Sequence, residues 1–342
     1  MGKIGLGLIG AGWISEFHLK AVQELHDRAK VVAIADIERN KAENLRKKYD
    51  LKKAFSDYRK LLDLEEIEGV IVCLPTFLHR EVSIAAAERG KHILCEKPLA
   101  PTVRDCDKMI EAAERYRILL MPGHNRIFFP PHIKVKEIID RGKIGKPIIY
   151  QGSFIGPGPF NGSLDLLKKN WRGDKKKSGG GAIIESGVHQ IYTVMHFMGD
   201  IRSVTSQLTF YEELGIERGG TVTLTFTNGA IGVLTIYWGT TYHNDGETVI
   251  GTEGSIEIKG VEKQILRQAP LAIYDYTSKS WNFPSVDWNW QKSFTGLISH
   301  FIDCIQGKCE PIITSEDGRK AIQVVEAIYQ SASEQRHVEI AS

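Results

Sequence analysis

Lys3-Ile4-Gly5-Leu6-Gly7-Leu8-Ile9-Gly10-Ala11-Gly12-Trp13-Ile14-Ser15 begins the chain and, followed as far as Asp36, reads as strand, turn, helix and strand. The apolar run of Ile4, Leu6, Leu8 and Ile9 breaks at Gly10-Ala11-Gly12. A helical pattern follows over 13–25, and Val31-Val32-Ala33-Ile34-Ala35 ends in Asp36. A dinucleotide requires this order: glycines where the backbone turns tightly against a pyrophosphate, a helix N-terminus aimed at it, and an acid at the next strand tip for the ribose hydroxyls. Ser15 stands where the third glycine is usual. Gly10, Gly12, Trp13 and Ile14 are therefore candidate contacts at the phosphates, with Asp36 and Ile37 at the ribose. A carboxylate at position 36 accepts from both hydroxyls and repels a 2′-phosphate, so NAD is the expected cofactor. Arg39, close by in sequence, keeps NADP open as a second choice.

Strand and helix patterns continue to alternate. A charged helix near 39–49 precedes the apolar strand 69–74. Helix 80–89, strand 92–96, helix 103–116 and strand 118–121 follow. Such alternation implies parallel βαβ units, so an α/β fold with a doubly wound sheet is expected over 1–125. Ligands of these sheets sit beyond the carboxyl ends of the strands. That rule selects Leu74, Pro75, Thr76 and His79, then Glu96 and Lys97, then Asn125 and Arg126.

Over 342 residues, 44 Lys and Arg against 42 Asp and Glu leave a formal charge of +2. That provides no field for nucleic acid or an anionic membrane surface. No apolar stretch is long enough to span a bilayer, and no charged-then-apolar leader is seen. The five cysteines, Cys73, Cys95, Cys106, Cys304 and Cys309, contain no C-x-x-C. Cys73 and Cys95 lie in apolar runs as buried reduced thiols, which suits a reducing cytoplasm. With neither H-E-x-x-H nor paired C-x-x-C, no metal is expected. Lys175-Lys176-Lys177 reads as a solvated loop.

From Pro147 the texture changes to strand-like runs at 148–155, 201–211, 221–226, 230–238, 247–250 and 255–259. Thr227-Asn228-Gly229 and Thr252-Glu253-Gly254 supply hairpin turns. A second domain over 126–342, built on an antiparallel sheet with one helix-covered face, is expected. Helices near 294–307 and 315–336 close the chain.

Three clusters could carry chemistry. Glu96-Lys97-Pro98 ends a buried strand. Lysine and proline also mark ordinary strand ends, whereas the functional reading sets Lys97 beside a nicotinamide, handling protons. After Gly179-Gly180-Gly181, a helix over 182–196 sorts into stripes. Ile184, Val188, Ile191 and Met195 form a core face, and Glu185, His189, Tyr192 and His196 repeat the spacing one residue later. Ionisable groups bordering a buried stripe are costly unless paired or used, so they form either a satisfied network or a working site. Glu185 and His189 also have metal-pair spacing, without an evident third ligand. Asn170-Trp171-Arg172 offers an indole face for a sugar and a forked cation for hydroxyls or carboxylates; a packed Trp with a surface Arg is the plainer reading.

Taken together, these motifs resemble the family of glucose-fructose oxidoreductase, inositol dehydrogenase and the rhizopine-catabolism enzymes (Gfo/Idh/MocA). The resemblance spans nearly the whole chain: Gly10-Ala11-Gly12 with His18, Asp36, Pro75 with His79, Glu96-Lys97-Pro98, Asn125-Arg126, Trp171-Arg172, the glycine triplet, Gly187 with His189, Gly251-Thr252-Glu253-Gly254, and the helix entry after Pro311. It implies a Rossmann domain followed by an α/β domain with a large, open, mostly antiparallel sheet, through which such proteins commonly form homodimers or homotetramers. It further implies oxidation or reduction of a secondary alcohol on a sugar or cyclitol with NAD or NADP. The family's catalytic lysine corresponds to Lys97 and its catalytic histidine to His189. Glu185 stands where aspartate is usual, and Tyr192 where an acid often follows. Lys97, Arg126, Trp171, Arg172, Glu185 and His189 are the implied substrate contacts. Relatives also include glycosidases that keep their NAD and nucleotide-binding regulators without turnover; retention of both Lys97 and His189 favours turnover.

Overall fold

The apolar runs of the first third line up as one parallel sheet in the computed structural model, which describes residues 2–241, 243–259 and 270–340. Its elements are β1 (Ile4–Ile9), α1 (Trp13–Glu24), β2 (Ala29–Ala35), α2 (Arg39–Lys48), β3 (Lys53–Phe55), α3 (Tyr58–Leu62), β4 (Gly69–Val72), α4 (His79–Ala87), β5 (His92–Glu96), α5 (Val103–Tyr116) and β6 (Leu120–Gly123). The order is β3-β2-β1-β4-β5-β6, every pair parallel. Both β1 and β4 are buried along their whole length. Helices on both faces remove the need for polar alternation, so such strands read as continuous apolar runs. Strand order reverses between β1 and β4, and this switch point is where open α/β sheets bind ligands.

The rest of the chain contributes α6 (Pro130–Asp140), β7 (Pro147–Ile155), α7 (Leu164–Lys168), α8 (Lys175–Ser178), α9 (Val188–Met198), β8 (Ile201–Tyr211), β9 (Ile216–Phe226), β10 (Ile231–Tyr237), β11 (Asn244–Gly251), β12 (Gly254–Lys259), β13 (Leu271–Asp275), β14 (Ser280–Asn282), α10 (Gln291–Ile305), α11 (Ser315–Glu334) and β15 (Val338–Glu339). Among the described residues nine strands form the second sheet, in the order β14-β13-β12-β11-β7-β10-β9-β8-β15. Only β7 and β10 pair in parallel there; the other pairs are antiparallel. The hairpin from β9 to β10 turns at Asn228-Gly229, where Gly229 has φ +86° and the Asn228 side chain accepts from Ala230 N–H at 3.0 Å. That is the turn chemistry its sequence anticipates.

One face of this sheet carries helices. The Ser206 N–H donates to Ser331 Oγ at 3.0 Å, and its hydroxyl donates to Ile328 O at 2.7 Å, tying β8 to α11. The other face presents Thr205, Gln207, Thr221, Thr223 and Ile231 to solvent. The lysine run is not a loop: Lys175–Ser178 is one helical turn, started by the Asp174 carboxylate accepting Lys176 N–H at 3.0 Å. Asp at an N-cap offsets the poor helix tendency of so short a segment.

By contact, Met1–Phe128 with Gln291–Arg319 form one unit and Phe129–Trp290 with Lys320–Ser342 another. In the first, Phe294 of α10 packs on Phe17 with ring centroids 5.0 Å apart, and Arg28 binds Ser299 Oγ and Asp303, each at 2.7 Å. Contact thus groups α10 with the first 128 residues, a grouping that a single cut at residue 125 does not express. No helix among the described residues is long and apolar enough to cross a membrane.

Candidate active site

In the first unit the turn after β1 is a backbone device. Gly10 has φ +103°, and a Cβ there would stand 2.2 Å from Cys73 O, just past β4. Only glycine satisfies both constraints. Ser15 is buried and its hydroxyl donates to Gly10 O at 2.8 Å, so the residue replacing the third glycine fastens the same turn. Gly12 is the N-cap of α1, extended, with no side-chain cap, and open space where a Cβ would be. The first-turn N–H groups of a helix have no intrahelical acceptor and attract anions. Asp36 accepts Ala11 N–H on Oδ2 at 2.7 Å and Glu38 N–H on Oδ1 at 2.8 Å. The carboxylate is thereby aimed back at the glycine turn, and each oxygen has capacity for a further donor. Trp13 and Ile37 are 76% and 90% exposed, while Ile14 is half-buried. This donor set, with an uncapped helix start facing open space, fits a dinucleotide.

The next strand ends are stitched together. Leu74 and Pro75 are half-buried and Thr76 is buried. His79 is buried, with Nε2 2.8 Å from Leu74 O and Nδ1 3.0 Å from Pro98 O. Burial pushes its imidazole below the usual range, against the pull of those carbonyls. His79 therefore links the segment after β4 to the one after β5. Glu96 is buried at the end of β5, where Oε1 meets His18 Nε2 at 2.8 Å and Oε2 accepts Lys97 N–H at 3.2 Å. Lys97 itself is half-buried, and its peptide bond to Pro98 is cis. Asn125 lies inside, donating to Ser293 Oγ at 2.7 Å, and Arg126 is completely enclosed.

The second unit builds its cluster from side chains. Gly181 N–H, Ile183 N–H and the Tyr329 hydroxyl all donate to Glu217 Oε1, at 2.7, 2.8 and 2.9 Å. A Cβ at Gly180 would stand 2.0 Å from the Tyr329 hydroxyl, and one at Gly181 would stand 2.1 Å from Glu217 O. The glycine triplet is thus a place where backbone must come close to its brace. Burial pushes the carboxyl of Glu217 up despite its three donors.

The chain then makes a π turn, Ile183–Gly187, before α9 begins. An uninterrupted helix over 182–196 is therefore corrected. The extra residue in the turn shifts the register by about 100°. Within α9 itself Tyr192 is buried rather than on the polar stripe, and Met195 is half-exposed rather than core, because the helix is enclosed on most sides, with Gln190 to Val194 all buried. Trp238 Nε1–H donates to Ser186 Oγ at 2.9 Å and pins the π turn. Glu185 and His189 are half-buried. Glu185 accepts from Arg172 Nε at 3.0 Å, and the Arg172 guanidinium lies over the Trp171 ring at 4.4 Å. Arg172 N–H is held by Asn170 Oδ1 at 3.2 Å.

Trp171, Arg172 and Glu185 are thus brought together in one unit, as Gly10, Gly12 and Asp36 are in the other. Glu217, Tyr329 and Trp238 escape a reading by sequence. Nothing in the local pattern of a strand or helix marks a residue that braces a turn far away along the chain.

Two family models match, an oxidoreductase NAD-binding Rossmann fold over residues 4–124 and an oxidoreductase C-terminal α/β domain over residues 136–340. The chain is 26% identical to a myo-inositol 2-dehydrogenase of Thermotoga maritima, over 98% of each protein. It is also 26% identical to an NAD(+)-dependent scyllo-inositol 2-dehydrogenase of Bacillus subtilis, over 94% of this chain and 92% of that one. A levoglucosan dehydrogenase solved with NADH and levoglucosan shares the fold, with a TM-score of 0.91 over all of both chains at 21% identity. With both halves matched in order, the chain belongs to the Gfo/Idh/MocA oxidoreductase family, and residues 4–124 form an NAD-binding Rossmann domain.

Proposed function

We propose that this chain is an NAD-dependent dehydrogenase acting on a secondary hydroxyl of a neutral sugar or cyclitol, with Lys97 and His189 handling the hydroxyl proton. The cofactor half is taken as 1–125 and the substrate half as 126–342. The observation that carries this reading is the position of Lys97. It directly follows β5 at the carboxyl end of the dinucleotide-binding sheet, and its N–H is held by a glutamate that is itself fixed by His18. Gly10, Gly12, Trp13, Ile14, Asp36, Ile37, Leu74, Pro75, Thr76, His79, Glu96 and Asn125 surround the proposed cofactor path.

Bound NAD supplies the acceptor for the carbon-bound hydrogen, transferred as hydride. The chain's own groups deal with the oxygen. Imidazole is the side chain suited to take the hydroxyl proton, assigned to His189, while the Lys97 amine donates to the same oxygen and stabilises negative charge there. Arg172 and Glu185 form an ion pair at 3.0 Å, so together they present donors and acceptors but no net charge. That balance favours neutral polyols over acidic sugars, and the names of the two inositol dehydrogenases agree with it. Self-association through the exposed, threonine-rich face of the second sheet, as a homodimer or homotetramer, completes the proposal, as does residence in a reducing compartment, which suits buried free thiols at Cys73, Cys95 and Cys106.

The test is a screen of inositols, neutral sugars and sugar acids for net NADH formation, which a glycosidase that keeps its NAD or a regulator does not give. With an accepted substrate, Lys97→Ala should lower kcat by about 10² to 10⁴ while NADH affinity stays within a few-fold. Unchanged turnover in that variant removes Lys97 from the mechanism.

A further inference from the structure

A cluster of soft donors stands at the far end of α10, and none of its residues is assigned to alcohol oxidation. His300 and Cys304 are one turn apart on that helix, and Cys309 follows just beyond Gly307. Gly307 adopts φ +65° and its N–H bonds to Cys304 O at 3.0 Å, while Lys308 N–H bonds to Asp303 O at 2.9 Å. This left-handed stop folds the chain back on the helix. Cys309 Sγ consequently lies 3.7 Å from Cys304 Sγ. Cys304 Sγ is 3.5 Å from His300 Nε2, and Cys309 Sγ is 3.7 Å from His300 Nδ1. Taking one ligand atom from each residue, all three fall within 4.8 Å of one another.

We propose that His300, Cys304 and Cys309 form a binding site for a thiophilic divalent cation, zinc being the ion best suited, with water as the fourth ligand. Zinc–sulfur bonds of about 2.3 Å and zinc–nitrogen bonds of about 2.0–2.1 Å, set at tetrahedral angles, require S···S separations of about 3.8 Å and S···N separations of about 3.6 Å. With Nε2 as the ligand atom, the 3.7 Å and 3.5 Å separations found here match two of the three edges, and the third, from Nε2 to Cys309 Sγ, is within 4.8 Å. Two thiolates and an imidazole select zinc over magnesium or calcium, which prefer oxygen.

The neighbourhood suits the role. The Phe128 ring packs beside the His300 ring with centroids 5.4 Å apart, limiting its rotation. Asp303 is engaged by Arg28 at 2.7 Å and Lys308 at 3.6 Å, so the nearest carboxylate on the helix belongs to an ion-pair cluster. One rearrangement is required. Ile312 N–H donates to His300 Nε2 at 2.9 Å, and an ion on that nitrogen displaces it. A neutral hydrogen bond is worth roughly a factor of ten in an equilibrium, whereas structural zinc sites reach at least about seven powers of ten. The Ile312 side chain is exposed, so no packing of its own opposes a local turn of that amide. The ion would staple the end of α10 to the segment that leads into α11.

The experiment uses the reduced, chelator-treated full chain titrated with Co²⁺ and then Zn²⁺. The expected result is one Co²⁺ per chain with a thiolate-to-cobalt charge-transfer band, displacement of that band by Zn²⁺, about two protons released per ion, and a higher Tm with Zn²⁺. Cys309→Ser, at an exposed position that leaves the core untouched, should weaken binding at least about 100-fold, as should Cys304→Ser, with His300→Asn weakening it by about tenfold or more. Lys97→Ala should bind Zn²⁺ as the parent does, so that failure of the dehydrogenase reading leaves this result unaffected. A missing charge-transfer band, or one that survives Cys304→Ser/Cys309→Ser, overturns the proposal. So does loss of two thiols to a low-molecular-weight disulfide in a chain that binds no Co²⁺, which makes the pair a dithiol instead.

Discussion

The two units make their sites from different materials. In the first, backbone does the work: a left-handed glycine, an uncapped helix start and a strand end converge where sheet order reverses, and Asp36 is the ionisable side chain bonded to the backbone of that turn. In the second, side chains do it. A π turn packs on the sheet, held by Glu217, Tyr329 and Trp238, and displays Glu185 against Arg172. A dinucleotide presents the same phosphates and ribose to every protein that binds it, so one backbone solution serves. An alcohol substrate varies, and a site assembled from side chains can vary with it.

Glycine substitutions break this comparison most severely. Gly10→Val meets both a positive φ and the Cys73 carbonyl, so a loss of about 3 kcal/mol or more is expected, read as a collapse of Tm. Gly181→Val should be comparably damaging in the second unit, because its side chain would enter the Glu217 backbone. Gly12→Val separates fold from ligand. Nothing lies within 4 Å of its Cβ position, so Tm should hold while NADH affinity falls about 100-fold as the side chain fills the phosphate approach. Retained NADH binding in Gly12→Val would mean that the cofactor does not cross this turn.

Asp36 is a smaller lever on the same half. In Asp36→Ala the Ala11 and Glu38 N–H groups lose a half-exposed acceptor, about 1 kcal/mol, and the ribose loses its partner. NAD affinity should drop roughly tenfold, and the NADP-to-NAD ratio of kcat/KM should rise by about one power of ten or more, with Arg39 nearby to receive a 2′-phosphate. A ratio that does not move removes Asp36 from cofactor choice.

The same contrast explains what could be read in the sequence. Strands β1, β4 and β5 were legible because burial on both faces leaves an apolar run bounded by turns. β3 was not, since Lys53-Ala54-Phe55 is too short for any period and lies at the sheet edge. Gly179-Gly180-Gly181 announced a special turn, but its cause, Glu217, sits 36 residues from Gly181 on another strand. The π turn is invisible to a 3.6-residue period, and Tyr192 and Met195 depart from their stripes because α9 is buried on most sides, which leaves periodicity little contrast to read. His79 was selected by its place after β4, yet its ring nitrogens face carbonyls of the protein, which local sequence does not encode. His300, Cys304 and Cys309 give no signal in the sequence because their spacing, four and then five residues, matches neither C-x-x-C nor H-E-x-x-H.

The finest test of the comparison is the response of each unit to pH. Burial holds the His79 imidazole below its ordinary 6.5, so between the two values the unfolded chain binds a proton that the folded one refuses. Its contribution to stability is present above pH 6.5 and is lost as pH falls below it. Glu217 has the opposite sign. Burial holds its carboxyl above the ordinary 4.5, so the folded chain keeps a proton that the unfolded one gives up. Its contribution is present below pH 4.5 and is lost as pH rises through the folded value. Either group can impose at most about 1.4 kcal/mol per pH unit on the unfolding free energy. His79→Gln should therefore flatten the acid side of the stability profile just below pH 6.5, and Glu217→Gln should flatten the opposing slope above pH 4.5, whatever constant offset each variant adds from lost hydrogen bonds. Urea unfolding of the parent and both variants at half-unit steps of pH measures the slopes separately from the offsets. With the His79 slope as expected, a Glu217 slope of the same sign shows that the three donors on Glu217 Oε1 outweigh its desolvation. A reversed His79 slope shows that the carbonyls around His79 outweigh its burial.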